Sequence, residues 1–169
     1  MEFTTALAHV NRMMYEPLNL PIYCVQEEMQ NVKYGAGTFQ LATKTIRFRV
    51  ANVTPTKIGQ FVAFWQKDKQ NRNQPYSYEE TPDFVVITTF KDDRQFGQFV
   101  FPRELLLEQN ILASPSIKGK MALRVYPAWD QPTSKQALNT QKWQLPYFVD
   151  MCIADPLQSR QVLALYGFV

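Results

Sequence analysis

Apolar positions change their period several times along the chain, and each change marks an expected element. Residues 1–15 read as a helix that Pro17 ends. Residues 34–41 and 45–51 read as two strands joined by a short polar turn. In the second, Ile46, Phe48 and Val50 alternate with Arg47, Arg49 and Ala51, so each set takes its own face. Thr54 suits an N-cap and Pro55 the first helical position, and Ile58, Phe61, Val62 and Trp65 follow at i, i+3, i+4 and i+7. That spacing predicts a helix across this segment. Residues 66–82 are polar and read as a long loop. Residues 83–90 are nearly all apolar, the pattern of a central strand covered on both faces. Strands are also expected at 97–101 and 121–126, with a short helix opened by Pro102 and running to about Gln109. Thr133 and Gln136 form a capping box for a helix to about Leu145, and Asp155-Pro156 starts a last helix ending near Gly167. The order predicts an α/β or α+β domain, a mixed sheet flanked by helices.

A chain of 169 residues fits one domain, residues 1–169, large enough to fold without a disulfide or metal staple. Aromatics reach 14%, which reads first as a large core. Cys24 and Cys152 stand far apart and form no C-x-x-C unit, as expected of reduced, mostly buried thiols in a reducing compartment. No apolar stretch approaches the roughly 20 residues that span a bilayer, and no signal peptide is visible. A cytoplasmic protein without a membrane partner is therefore expected.

Most catalytic chemistries lack their residues here. One histidine, His9, and two distant cysteines cannot supply a zinc set or a convincing nucleophile–base pair. Neither a G-x-x-x-x-G-K-[ST] loop nor a G-x-G-x-x-G turn occurs, so no cofactor is expected. A carboxylate–metal site drawn from Asp83, Asp92, Asp93 or Asp130 stays open, although Asp92-Asp93 reads more simply as a solvated turn.

Charge distribution changes the picture. Net charge is only +3, but residues 32–75 hold eight basic and one acidic side chain, and residues 111–149 hold five and one. The segment between them, 76–110, holds three basic and seven acidic. Arg47 and Arg49 share a strand face about 6.6 Å apart, a spacing that suits successive phosphates. Lys57 falls in the first turn of the expected helix, where backbone N–H groups favour anions, and Gln60 lies one turn on. The second basic block adds Lys118, Lys120, Arg124, Lys135 and Lys142, with Trp129 and Trp143 among them. Basic side chains for a backbone and aromatic faces for bases are the means by which single-stranded nucleic acid is held. The bland readings are that the arginines mark a solvent face and that Trp65 is core; Trp129 and Trp143 are left open.

The same residues carry a family resemblance. Tyr34-Gly35-Ala36 through Phe39, Phe48-Arg49-Val50-Ala51, Thr54 through Phe61, Trp65, Phe96 through Pro102, Gly119-Lys120, Arg124 through Asp130 and Gln141 through Leu145 resemble the MepB-like proteins over about residues 30–150. The resemblance implies a fold related to the PD-(D/E)-x-K nucleases, restriction-endonuclease-like: a mixed sheet with a β-hairpin, a crossover helix and flanking helices. It also implies an operon shared with a multidrug exporter, a context rather than an activity. In those nucleases one hairpin strand offers an Asp and the next a D/E-x-K, which together hold Mg²⁺ and activate water. Here the first strand offers Gly37 and Thr38, the second Arg47 and Arg49, and no D/E-x-K occurs in the chain. Pro82-Asp83 has no matching element after it. The expectation is a nucleic-acid-binding protein that is not an enzyme. Its partner is DNA or RNA, with single strands or RNA favoured over duplex. Arg47, Arg49, Lys57, Gln60, Lys120, Arg124, Lys142 and Trp143 are expected to hold it, without a metal. The alternatives are a divergent metal-dependent nuclease, or a domain that binds a protein or small molecule through the surface near Trp129 and Trp143.

Overall fold

The structure, a computed structural model, describes residues 1–169. Helix α1 (Phe3–Val10) runs on through a π turn, Asn11–Tyr15, and a 3-10 turn, Glu16–Leu18, to a left-handed Asn19. Three strands follow: β1 (Ile22–Glu27), β2 (Gly37–Leu41) and β3 (Lys44–Val50). The chain then makes β4 (Asn52–Val53), β5 (Gln60–Ala63), β6 (Gln66–Lys67) and β7 (Asn73–Gln74) before the long central strands β8 (Phe84–Phe90) and β9 (Phe96–Pro102). After α2 (Arg103–Glu108) come β10 (Ala122–Val125), α3 (Lys135–Gln144), β11 (Phe148–Asp150) and α4 (Gln158–Leu165).

The main sheet has the order β1-β2-β3-β8-β9-β11 and is mixed, because β3 pairs with β8 in parallel and every other pairing is antiparallel. β8 is buried along Phe84–Thr89, as its continuous apolar run requires. Two cores cover the two faces. One packs Phe3, Leu7, Val10 and Tyr15 of the N-terminal helical segment, Val162 of α4 and Tyr166 just after it onto Ile46, Phe48 and Val86. The other packs Val62, Phe64, Tyr76 and Leu106 onto Val85, Ile87, Phe99 and Phe101. The tyrosine hydroxyls in the first core are not wasted: Tyr15 and Tyr166 meet at 2.7 Å, and Tyr166 also donates to Gln98 Oε1 at 2.5 Å.

The mixed sheet flanked by helices is the expected class, and the expected helices at both ends and around 135–145 are present. The segment after Thr54 corrects the helical expectation. It forms a bend at 55–59 and the strand β5, the centre of a three-stranded sheet β10-β5-β4. Two features defeat the helix. Gly59 sits at φ +87, and a Cβ there would meet the Tyr126 ring at 2.7 Å. Gln60, Val62 and Phe64 are buried in alternation, so a period of two overrode the apparent stripe at 58, 61, 62 and 65, and Ile58 is exposed. The connection from β3 to β8 thus carries a small sheet rather than a crossover helix. The loop expected at 66–82 contains a short hairpin, β6 with β7, and buries Tyr76 completely.

Candidate functional site

The arginines of β3 do not face solvent. Arg49 is fully buried, and its Nη1 donates to Glu28 Oε1 at 2.8 Å and to the Phe48 carbonyl at 2.9 Å. Its Nη2 donates to Asn31 Oδ1 and, at 2.8 Å, to the Tyr76 hydroxyl. Arg47 donates from Nε to the same Glu28 Oε1 at 3.2 Å and lays its guanidinium 4.0 Å from the centroid of the Tyr76 ring. Tyr76 closes the loop by donating to Glu28 Oε2 at 3.1 Å. Burial works to raise the Glu28 pKa, but the charges of Arg49 and Arg47 and the hydrogen bonds from Arg49 and Tyr76 outweigh it and hold the carboxyl below its ordinary value. Burial pushes the Tyr76 phenol up. Asn31 Nδ2, Arg47 Nη1 and Arg49 Nε are buried without a protein acceptor. As a polyanion site, Arg47 and Arg49 are therefore a correction: Arg49 is buried, both guanidiniums are turned onto the shared Glu28 carboxylate, which offsets one of their two charges, and they hold β1, β3 and the Tyr76 segment together.

Gln60 is corrected in the same way. It is buried, and its Nε2 donates to the Phe90 carbonyl at 3.2 Å, tying β5 to the end of β8. Lys142 is exposed on α3 but outside the main groove. Lys57 is not in a helix; it lies in the bend before β5, so its own segment offers no helical N-terminus.

The remaining predicted residues do converge. An open groove of about 680 Å³ runs between the bend at 55–59, β10 and α3, and Lys57, Lys120, Arg124 and Trp143 all line it. No carboxylate is among its 18 lining residues, and none of the three cations forms an ion pair. Arg124 builds the wall as well as charging it. Its Nη1 donates to Thr54 Oγ1 at 3.0 Å and to the carbonyls of Ile58 and Gly59 at 3.3 Å, which pins the bend that carries Lys57. These acceptors are neutral, so the guanidinium charge stays uncompensated.

The opposite wall depends on two glutamines that residue-type reasoning did not single out. Gln144 is fully buried; its Oε1 accepts from the Tyr126 amide at 2.9 Å and its Nε2 donates to the Arg124 carbonyl at 3.0 Å. Gln141 Nε2 donates to the Asp130 and Pro127 carbonyls at 2.9 and 3.2 Å. Together they fasten α3 alongside β10. Ser134, rather than Thr133, caps α3, accepting from the Ala137 amide at 3.1 Å. Trp143 rests on Phe101 with ring centroids 5.5 Å apart, whereas Trp129 packs edge-on against Phe148 as part of the core boundary.

The MepB-like family matches residues 28–150, a span that includes both the buried arginine cluster and the groove. The chain belongs to the MepB-like family. A crystal structure of MepB is similar to it at 45% identity, with a TM-score of 0.75 over 79% of this chain and 89% of that one. A bacterial homing endonuclease, I-Ssp6803I, aligns at 12% identity and a TM-score of 0.48, covering 85% of this chain and 89% of that one. No curated protein matches the chain.

The hairpin residues of this MepB-like chain do not suit the Mg²⁺ that PD-(D/E)-x-K nucleases hold at the corresponding hairpin. Gly37 faces the ring of Phe3, and any Cβ there would lie 2.3 Å from it. Arg47 and Arg49 are cations, and Glu28 is engaged by both. Two of the other candidate carboxylates, Asp83 and Asp92, have local duties. Asp83 Oδ2 accepts from the Thr45 amide and hydroxyl, and Asp92 Oδ1 accepts from the amides of Arg94 and Gln95 in the turn between β8 and β9. No three His, Cys, Asp or Glu side chains gather as a metal set. No helix is long and apolar enough to cross a membrane.

Proposed function

We propose that this domain binds nucleic acid through the groove between the 55–59 bend, β10 and α3, and that it does so without cleaving it. One observation carries the reading: Lys57, Lys120 and Arg124 line a single concave surface that contains no acid. A cleft of one sign concentrates its field and draws a polyanion, and displacement of condensed counterions then supplies affinity. The second basic block, and Lys57 from the first, provide this surface; Arg47 and Arg49 do not. A binding rather than a hydrolytic role is favoured because the hairpin presents guanidinium groups where metal chemistry needs carboxylates.

Fluorescence anisotropy with labelled DNA and RNA oligonucleotides tests the reading. Binding should fall steeply as salt rises. Lys57→Ala and Lys120→Ala should each reduce the slope of log affinity against log salt by about 0.7–0.9. Absence of binding at low salt removes the proposal, and strand scission in Mg²⁺ or Mn²⁺ removes its non-catalytic half.

A further inference from the structure

Beside the cationic groove, and continuous with it, lies a second open hollow of about 560 Å³. It is lined by Gln109, Lys135, Gln136, Asn139, Thr140 and Trp143, and all of these except Lys135 and Asn139 also line the groove. Five of the six come from one face of α3, at spacings that a helix stacks on one side. Gln109 reaches the same place from the end of α2.

The chemistry of this hollow differs from that of its neighbour. The groove offers cations. The hollow offers one half-buried indole and three carboxamides, with a single lysine at the rim. Gln136 and Asn139 are exposed and Gln109 and Trp143 half-buried, and their side-chain amides and the indole N–H are left open toward solvent rather than bonded within the protein. This contrasts with Gln141 and Gln144 on the same helix, whose amides are committed to main-chain groups. A carboxamide presents a donor and an acceptor side by side, the arrangement that matches the edge of a nucleobase. An aromatic face supported from behind, as Phe101 supports Trp143, is a platform for a base.

We propose that the hollow is a nucleobase pocket, in which an unpaired base stacks on Trp143 and is read by Gln109, Gln136 and Asn139 while its phosphates lie in the adjoining groove. The inference rests on the nucleic-acid reading above and deepens it: the ligand is a single strand, DNA or RNA, because a base inside a duplex cannot offer its face and its pairing edge together.

The experiment is an anisotropy titration at low salt of the full chain with labelled dodecamers of dA, dT, rA and rU, the annealed dA·dT duplex, and an abasic dodecamer with the same phosphates. At least one base-bearing strand should bind about tenfold more tightly than the abasic strand and than the duplex. Trp143→Ala should remove that difference, and Trp143→Phe should retain most of it. Because Trp143 also packs on Phe101, the exposed Asn139→Ala supplies an independent reading, and it should narrow the gap between base-bearing and abasic strands. Equal binding of abasic and base-bearing strands overturns the base pocket and leaves the nucleic-acid reading standing. Preference for the duplex also overturns it. Failure of every strand to bind overturns both.

Discussion

Glu28 Oε1 sits 2.8 Å from Arg49 Nη1, and this contact explains why the most prominent cation of the hairpin is unavailable to a ligand. Arg49 has no exposed side-chain surface, and Glu28 has 11%. A guanidinium held so far from water is tolerable only beside an opposite charge, and Glu28 provides the charge for Arg47 as well.

Glu28→Gln should therefore destabilise the fold by about 3–5 kcal/mol, since it leaves two guanidiniums, one fully buried, without a counter-charge. Urea denaturation followed by far-UV circular dichroism measures this. A loss within the scatter of an ordinary surface substitution, about 0.5 kcal/mol, would show that the pair is not a structural anchor.

The same carboxyl sets a pH dependence. Its pKa in the fold lies below the ordinary value of 4.5. Its contribution is thus fully present above pH 4.5 and drains as the pH falls through the lower folded value, where the carboxyl takes up a proton in the native state too. Denaturation midpoints collected between neutral pH and pH 3 should decline in the acid range for the native chain, and decline less steeply for Glu28→Gln.

Gly37→Ala should cost about 1–3 kcal/mol, because its Cβ would lie 2.3 Å from the Phe3 ring and force α1 off the sheet. Pairing it with Phe3→Leu should recover part of the loss, and thermal unfolding of the two variants decides it. Additive losses would mean that the ring is not the obstacle.

Gln144→Leu leaves the Tyr126 amide and the Arg124 carbonyl without their side-chain partner, at about 1–3 kcal/mol for each group left unsatisfied. The proposed site gives this variant a second expected effect. Loosening α3 from β10 should weaken oligonucleotide binding even where the variant is fully folded, without changing the number of cations. Binding at native strength by folded protein would detach the wall from the function.

Much of the outline is readable from local pattern. The run at 83–90 became the central strand at Phe84–Phe90, the alternation at 45–51 became the inner strand of the hairpin at Lys44–Val50, and Pro102 and Asp155-Pro156 mark helices close to where they form. The misread segment is instructive for its cause. Ile58, Phe61, Val62 and Trp65 fit a helical stripe, but Gly59 and the pairing of β5 with β10 and β4 impose a period of two. Strand partners distant in sequence leave no trace in a local window, and β10 lies some sixty residues on.

The amino-acid sequence alone determined the class of the domain, its family and the inventory of charges and aromatic rings, because hydrophobic periodicity and residue type are local properties. Only the tertiary structure decided which of those charges stay open to solvent. Arg49 and Lys57 look equivalent as basic residues of one block, yet folding buries the first against Glu28 and leaves the second in an acid-free groove with Lys120 and Arg124. The free energy of a charge depends on its solvent and its neighbours, and both are set by contacts between residues far apart along the chain.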